Sequence, residues 1–202
     1  MKKTNLYTWK EKIATMGFIV INILLFITSM FSGDILYEQG AFSLRYILQG
    51  REWWRLITSM FLHADADHLA GNMLILYLAG ELVEKYIGKW RYTILYFFSG
   101  AAGAVLYAVY EYYTGNYTDT IGASGAVFGV LGALFVIVVC HKGRYENISA
   151  GRMTFMMVCM AYMGLRSSNV NNAAHMGGLL GGILLAGFYM LIRKPENGRE
   201  II

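Results

Sequence analysis

The chain has 202 residues, of which 56% are hydrophobic and 15% are charged, and its formal net charge is +4. Soluble domains average about 45–50% apolar and about 25% charged residues, so an ordinary water-soluble domain is excluded. A disordered chain would be rich in charge and proline, whereas this chain has a single proline. Two cysteines, Cys140 and Cys159, are too few for a disulfide framework, and their position in or beside apolar runs predicts buried side chains.

Six apolar segments follow one another along the chain, and each is a candidate membrane-spanning helix. They cover residues 14–31, 68–83, 92–110, 124–140, 153–165 and 173–192. A spanning helix needs about 20 residues, with a range near 17–25, so several segments are at or below the lower limit. We therefore expect a locally thin bilayer, or helix ends buried against neighbouring helices. Lysines precede the first segment, as in a secretion signal, but its apolar run is longer than a signal core, which favours a retained helix.

The basic residues indicate how these segments are oriented. If all six span the membrane, the stretches that share one side hold 13 of the 17 Lys and Arg residues. These stretches are residues 1–13, 84–91, 141–152 and 193–202. Because cytoplasmic loops are enriched in Lys and Arg, we expect both termini in the cytoplasm. This distribution also favours a membrane, and not a nucleic acid, as the partner of the positively charged chain.

The first connection on the opposite side, residues 33–67, is long and rich in aromatic residues. A loop of that length without secondary structure is uncommon. Its semi-apolar stretch, residues 53–62, predicts a partly helical segment that packs in the outer leaflet. Trp53 and Trp54 would then lie at the membrane interface.

A few polar residues remain within the apolar segments. An ionisable group at the bilayer centre costs about 2.5–3.5 kcal/mol on insertion scales, so such residues are functional candidates. The candidates are His68, Asn72, Glu84, Ser124 and His175, with Asn171 and Asn172 where the sixth segment begins. Segments two, four and six enter from the same side, which predicts a similar depth for His68, Ser124 and His175. His68 and Asn72 are four residues apart and share a helix face.

Glycines predict a close contact between segments four and six. The stripe on segment four and the pair on segment six are Gly122, Gly125, Gly129 and Gly132, and Gly178 and Gly182. Small residues allow membrane helices to approach closely. We therefore expect these two segments to pack together and to bring Ser124 within reach of His175.

A serine hydroxyl beside an imidazole is typical of an activated nucleophile, because the hydroxyl needs a base to accept its proton. Attack on a carbonyl creates an oxyanion that needs hydrogen-bond donors, and His68, Asn72 and the Ser124 amide are available. A serine among glycines can be a packing residue, and a helical histidine can be a core group. The shared depth and the glycine-lined faces favour the functional interpretation.

Five motifs, in this order along the chain, resemble those of the rhomboid intramembrane serine proteases. They are Trp54-Arg55, the H-x4-H-x3-N pattern of His63, His68 and Asn72, the pattern Gly80-x3-Glu84-x3-Gly88, Gly122-Ala123-Ser124-Gly125, and Ala174-His175-Met176-Gly177-Gly178 with Gly182. The resemblance covers residues 14–192.

The resemblance implies an all-α, six-helix rhomboid-like bundle in a bacterial cytoplasmic membrane. A catalytic membrane domain at 14–192 would follow a short cytoplasmic segment at 1–13 and precede a cytoplasmic tail at 193–202. The implied reaction is peptide-bond hydrolysis in single-span membrane proteins, in or near their membrane segment. Ser124 would be the nucleophile and His175 the general base, and His68, Asn72 and the Ser124 amide would form the oxyanion hole. No cofactor, metal or nucleic acid is implied, and the oligomeric state is not indicated.

The resemblance also implies supporting roles. His63 would be structural or would gate the cavity mouth, Glu84 would fix the inner end of segment two, and Arg55 with Trp54 would fix the first connection. The family often has Tyr one turn after the serine, where this chain has Phe128, whose ring can still stack on the histidine. Residues 116–120 and 169–172, which include Asn172, are expected at the rim of a water-filled cavity.

Three alternatives stay open at this stage. The stretch His63-Ala-Asp65-Ala-Asp67-His68 could bind a cation, although the chain has no HExxH pattern. A rhomboid-like protein could bind membrane helices without cutting them, although such a protein would be expected to lack the Ser124–His175 dyad. A transporter could line its path with polar residues, although no internal repeat is visible.

Overall fold

The computed structural model describes residues 12–166 and 170–192. The expected N-terminal segment 1–13, apart from Lys12 and Ile13, the expected tail 193–202 and residue 169 of the expected cavity rim lie outside the described residues. From its N-terminal end, the described chain forms α1 (Ile13–Ser32), α2 (Ile35–Gly40), α3 (Leu44–Gly50) and α4 (Arg55–Thr58) with a 3-10 turn (Ser59–Phe61). It continues with α5 (Ala66–Ile87), α6 (Lys89–Thr114), α7 (Ser124–Cys140), β1 (Arg144–Tyr145), β2 (Ile148–Ser149), α8 (Ala150–Arg166) and α9 (Asn172–Ile192).

The architecture is all-α apart from the two-residue strands of the β1–β2 hairpin. Each of the six predicted apolar segments lies within one long helix, namely α1, α5, α6, α7, α8 and α9. Among the described residues, three helices are long and apolar enough to cross a membrane: Ile13–Ser32, Lys89–Thr114 and Asn172–Ile192. The apolar α7 is shorter, so the count of six spans stays a prediction.

The central element of the bundle is α7, which is apolar on all sides. Twelve of its 17 residues are buried, against α5, α6 and α9. A helix that is hydrophobic all round is typical of a core or membrane helix. The helix begins at Ser124 and ends at Cys140. We therefore refer to the two ends of the bundle as the Ser124 end and the Cys140 end.

Glycines bring the backbones of α7 and α9 into direct contact, as predicted. A Cβ atom added to Gly182 would overlap the backbone carbonyl of Gly129, and one added to Gly178 would overlap the carbonyl of Gly125. One turn further along, a Cβ on Gly132 would stand 2.6 Å from the carbonyl oxygen of Leu179. No side chain larger than hydrogen fits at these positions without moving one helix away from the other.

The outer surface of the bundle is apolar, as expected for a surface that meets lipid. Leu24 and Phe31 on α1 are 57% and 86% exposed, and Leu184 on α9 is 69% exposed. This arrangement corrects the expectation that both cysteines are buried, because Cys140 is exposed and Cys159 is partly exposed. The physical reason is that an apolar helix in a membrane bundle also has a face directed to lipid, so an apolar neighbourhood does not imply burial within the protein.

Replacing Gly182 with Ala should destabilise the bundle, whereas replacing Gly187 of the same helix with Ala should not. A Cβ on Gly187 meets no atom within 4 Å among the described residues. Overpacking a tight contact costs about 1–3 kcal/mol, and Ala at an open helix position gains up to about 1 kcal/mol over Gly. Thermal unfolding of both variants in detergent measures the difference. Equal melting temperatures for the two variants would contradict the backbone contact.

Candidate active site

Ser124 is the first residue of α7, and the loop that leads to it is fixed by a backbone hydrogen bond. The Gly122 amide donates to the carbonyl oxygen of Ser59 at 2.9 Å. Gly122 has a φ of 129°, a conformation that side chains disfavour. Because the first amide groups of a helix have no partner within it, the Ser124 N–H has no acceptor inside α7.

The contact between α7 and α9 places His175 beside this helix start. The carbonyl oxygen of Ala174, which precedes His175, lies 3.6 Å from the position of a Cβ on Gly125, which follows Ser124. The ring of Phe128, one turn after Ser124, stacks on the His175 ring with centroids 4.2 Å apart and planes 13° apart. This stacking agrees with the sequence-based expectation for Phe128 and fixes the plane of the imidazole.

His68, at the start of α5, completes a cluster around Gly122. Its Nε2 atom and the Ser124 Oγ atom lie 2.9 and 3.6 Å from the place where a Cβ on Gly122 would stand. A side chain at Gly122 would therefore collide with the imidazole of His68. The His68 amide is held by the Asp65 carboxylate, which accepts its hydrogen bond at 2.7 Å and caps α5.

Asn72 lies one turn further along α5 and is buried, with 6% of its surface exposed. Its side-chain Nδ2 atom has no hydrogen-bond partner among the described residues. Buried donors in native proteins are nearly always paired, so an unpaired one near a functional cluster is a candidate for binding a reacting group. The Ser124 hydroxyl and the His175 ring share no hydrogen bond in the described part of the chain; such bonds often form only when substrate is present.

A cavity of about 900 Å³ opens at the Ser124 end, and His68 lies in its wall. From the ranges predicted for its rim, 116–120 and 169–172, the polar side chains that line it are Thr118, Asp119, Thr120, Asn171 and Asn172, whereas Asn116 and Tyr117 are described and do not. Asn172 also donates to the Gly164 carbonyl at 3.0 Å, so it ties the start of α9 to the end of α8. A cavity with this lining can hold water beside His68, whereas Ser124 and His175 are not among the residues of its wall.

Comparison with known proteins identifies the fold family. Residues 50–192 match the family model described as Rhomboid domain. The chain belongs to the rhomboid family. It is 32% identical to "Rhomboid protease GluP" of Bacillus subtilis (strain 168) over 190 residues. The matched region covers 92% of this chain and 36% of that protein. It is 35% identical over 147 residues to "Putative rhomboid protease YdcA" of the same organism, which covers 72% of this chain and 71% of that protein.

A third relative, "RHOMBOID-like protein 6, mitochondrial" of Arabidopsis thaliana, is 32% identical over 170 residues, which covers 84% of this chain and 53% of that protein. This chain therefore spans about half or less of the length of the Arabidopsis relative and of GluP. Membership of the rhomboid family and the long apolar helices establish an integral membrane protein. Both Bacillus relatives have "rhomboid protease" in their names.

In this rhomboid, Arg55 holds the first connection together. Its guanidinium donates to the carbonyl oxygens of Ala41 and Glu38, each at 2.8 Å, and pairs with the Glu52 carboxylate. It also lies 3.8 Å from the centre of the Tyr46 ring. The neighbouring Trp54 is 55% exposed, and its indole N–H donates to the Gln39 carbonyl at 3.3 Å. Both positions fit the supporting role that the resemblance implies.

Glu84 lies at the Cys140 end, far along α5 from His68, and it joins α5 to the start of α1. Its buried carboxylate accepts hydrogen bonds from the amides of Ala14 and Thr15 and from the Thr15 hydroxyl, at 2.7–2.9 Å. A carboxylate at the N-terminus of a helix is stabilised by the unpaired amides there. Glu84 therefore positions α1 and does not contact the Ser124 cluster.

The sequence reading missed a second buried carboxylate, Glu111 near the end of α6. It accepts hydrogen bonds from the Ser43 hydroxyl, the Leu44 amide and the Thr118 amide, at 2.6–2.8 Å. Next to it, Phe42 and Thr120 exchange two backbone hydrogen bonds in an isolated bridge. Glu111 thereby ties the first connection to the loop that leads to Ser124. The signal in the sequence that could have indicated this role is an acidic residue directly after the predicted apolar segment 92–110.

The stretch from His63 to His68 does not gather into a metal site in the described structure. Asp65 caps α5 and is exposed, Asp67 is exposed in the first turn, and His63 is fully buried. Among the described residues, no group of three His, Cys, Asp or Glu side chains is placed to hold a metal ion. The two carboxylates instead stabilise the N-terminus of the helix that carries His68.

His63 lies in the loop before α5, with its ring centroid 5.1 Å from that of His68. Its carbonyl oxygen accepts a 2.6 Å hydrogen bond from the Tyr37 hydroxyl. Burial, and secondarily the His68 imidazole, lowers the pKa of His63 to about 4. The full burial favours the structural role over a gate at the cavity mouth.

The unfolding free energy should therefore decrease as the pH decreases, and part of this decrease should depend on His63. In the unfolded chain the His63 pKa is about 6.5, so the unfolded state binds the proton first as the pH decreases. Between pH 7.5 and 4.5, the wild type should lose roughly 2–3 kcal/mol more unfolding free energy than a His63→Phe variant. Denaturant unfolding at the two pH values measures this difference. The same pH dependence in both proteins would show that His63 is not buried in its neutral form.

Proposed function

We propose that this rhomboid is an intramembrane serine endopeptidase that cleaves single-span membrane proteins in or near their membrane segment. The observation that carries the proposal is the α7–α9 backbone contact, which holds the residues next to Ser124 and His175 against each other. Relatives with "rhomboid protease" in their names support the same reaction class. No cofactor is part of the proposal.

Each reacting group has a distinct role in this mechanism. The Ser124 hydroxyl attacks the scissile carbonyl while His175 accepts its proton, and the carbonyl oxygen becomes an oxyanion. The Ser124 amide, the Asn72 side-chain N–H2 and the His68 ring donate hydrogen bonds to that oxyanion. His175 then gives its proton to the leaving amine, and water from the cavity hydrolyses the acyl-enzyme.

The proposal includes a membrane topology with six spans and both termini on the cytoplasmic side. The charged ends of the helices support it. Described Lys and Arg residues at the Cys140 end are Lys12, Lys85, Lys89, Arg91, Lys142, Arg144 and Arg152, whereas those at the Ser124 end are Arg45, Arg51, Arg55 and Arg166. Because cytoplasmic loops carry an excess of Lys and Arg, this distribution supports a Ser124 end on the opposite, outer side.

Replacing Ser124 with Ala should abolish cleavage of a single-span test protein in proteoliposomes, and so should replacing His175 with Ala. In each variant the cleavage rate should fall by at least about 10³-fold. The matched control is Ser99→Ala, since Ser99 is a buried serine of α6 whose hydroxyl has no hydrogen-bond partner among the described residues. Cleavage is followed by gel electrophoresis of the substrate, and folding by the melting temperature. Full activity of a folded Ser124→Ala protein would refute the serine mechanism. Binding of the test protein by the wild type without any cleavage would favour a helix-binding rhomboid-like protein.

Chelation should leave the activity unchanged, because a serine and a histidine carry out the proposed reaction. The measurement compares cleavage rates of the purified protein before and after dialysis against EDTA. Loss of activity in EDTA that returns when a divalent cation is added would instead support a metal site between His63 and His68.

A further inference from the structure

A second cavity lies away from the Ser124 cluster, at the Cys140 end of the bundle. It has a volume of about 230 Å³ and lies between α5, α7 and α8, beside the β1–β2 hairpin. Its wall is formed mainly by hydrophobic side chains, among them Ile75, Leu78, Leu131 and Met156. The serine, the histidines and the polar rim of the proposed active site take no part in it.

The cavity extends from the helix ends towards the middle of the bundle. Leu131 lies nine residues before Cys140, which corresponds to about 13 Å along α7 at 1.5 Å per residue. Room for it arises because α8 packs loosely, with only Met153 and Gly164 buried among its 17 residues. We refer to this partly open apolar cavity as the slot.

A single basic side chain stands where this slot opens. Among the described residues that line the cavity, Arg152 carries the only formal charge. Its Nη1 atom donates to the Asn147 carbonyl at 3.2 Å, which holds the guanidinium at the opening, and the residue is exposed. In the described part of the chain, Arg152 forms no ion pair with a carboxylate.

The charges around the opening favour an anionic partner. The nearby carboxylates are already engaged: Glu81 pairs with Lys12, Glu146 pairs with Lys85, and Glu84 binds the amides at the start of α1. Further positive charges at this end come from Lys89, Arg91, Lys142 and Arg144. Clusters of Lys and Arg at a membrane surface attract anionic lipid headgroups.

We propose that this cavity binds one acyl chain of an anionic phospholipid, with the lipid phosphate paired to Arg152. The apolar slot accommodates the chain, and the guanidinium provides the fork of donors that phosphate prefers. A substrate helix is the competing occupant, and the displacement experiment below distinguishes it from a lipid chain. This site is separate from the proposed peptidase activity, and its test does not use cleavage.

Native mass spectrometry of the purified protein in detergent provides the test. The protein is mixed with equal amounts of phosphatidylglycerol and phosphatidylcholine of identical acyl chains, and the retained lipids are counted. The wild type should retain phosphatidylglycerol about fivefold more than phosphatidylcholine. Arg152→Gln should lose that preference, and Met156→Trp, which fills the slot from α8, should lower retention of both lipids. The control Arg144→Gln removes an exposed charge of the hairpin that does not line the cavity, and it should retain the preference.

Three results would overturn the proposal. Equal retention of the two lipids by the wild type would show that the site does not select an anionic headgroup. Equal losses in Arg152→Gln and Arg144→Gln would show a diffuse surface charge and no defined site. Displacement of the retained lipid by one equivalent of a single-span helical peptide would assign the cavity to a protein helix. Melting temperatures near that of the wild type ensure that each variant is compared as a folded protein.

Discussion

The direct backbone contact between α7 and α9 determines the geometry of the rest of this rhomboid. In a bilayer, apolar side chains gain little by leaving lipid for protein, so helices associate through close packing. Gly125 and Gly129 on α7 meet Gly178 and Gly182 on α9, and a Cβ on Gly178 or Gly182 would overlap a backbone carbonyl of α7. The contact places the start of α9, with His175, beside the start of α7, with Ser124.

Three buried charged side chains hold the elements around that contact. Glu84 joins α5 to α1, Glu111 joins the first connection to the loop before Ser124, and Arg55 closes the first connection on itself. In each case the partners include backbone amides or carbonyls. A buried charge is costly unless it is hydrogen-bonded, so each of these groups is stable only in one arrangement of the chain around it. The loop that carries Gly122 and the first connection are thereby fixed relative to His68.

Much of the fold could be predicted from hydropathy and glycine spacing, because both reflect contacts that depend on residue type alone. The segment 124–140 agrees with α7 at both ends, and the α7–α9 packing followed from Gly125, Gly129, Gly178 and Gly182. Helix α6 extends beyond its predicted segment at both ends, because polar end residues such as Lys89 continue a helix that hydropathy cannot follow. The role of Glu111 could not be predicted, since two of its partners, Ser43 and Leu44, are distant in sequence and two of its three hydrogen bonds come from backbone amides, which any residue type can supply. The cysteine prediction was wrong because hydropathy does not separate lipid-facing from buried positions.

The central claim is that the α7–α9 contact makes Ser124 reactive by placing His175 beside it. The most direct measurement is labelling of the folded protein with a fluorophosphonate, followed by mass spectrometry to locate the modified residue. The account predicts an adduct on Ser124 in the wild type and loss of that adduct in His175→Ala, because an unassisted serine hydroxyl is a weak nucleophile. An adduct on a different serine, or undiminished labelling of Ser124 without His175, would contradict it.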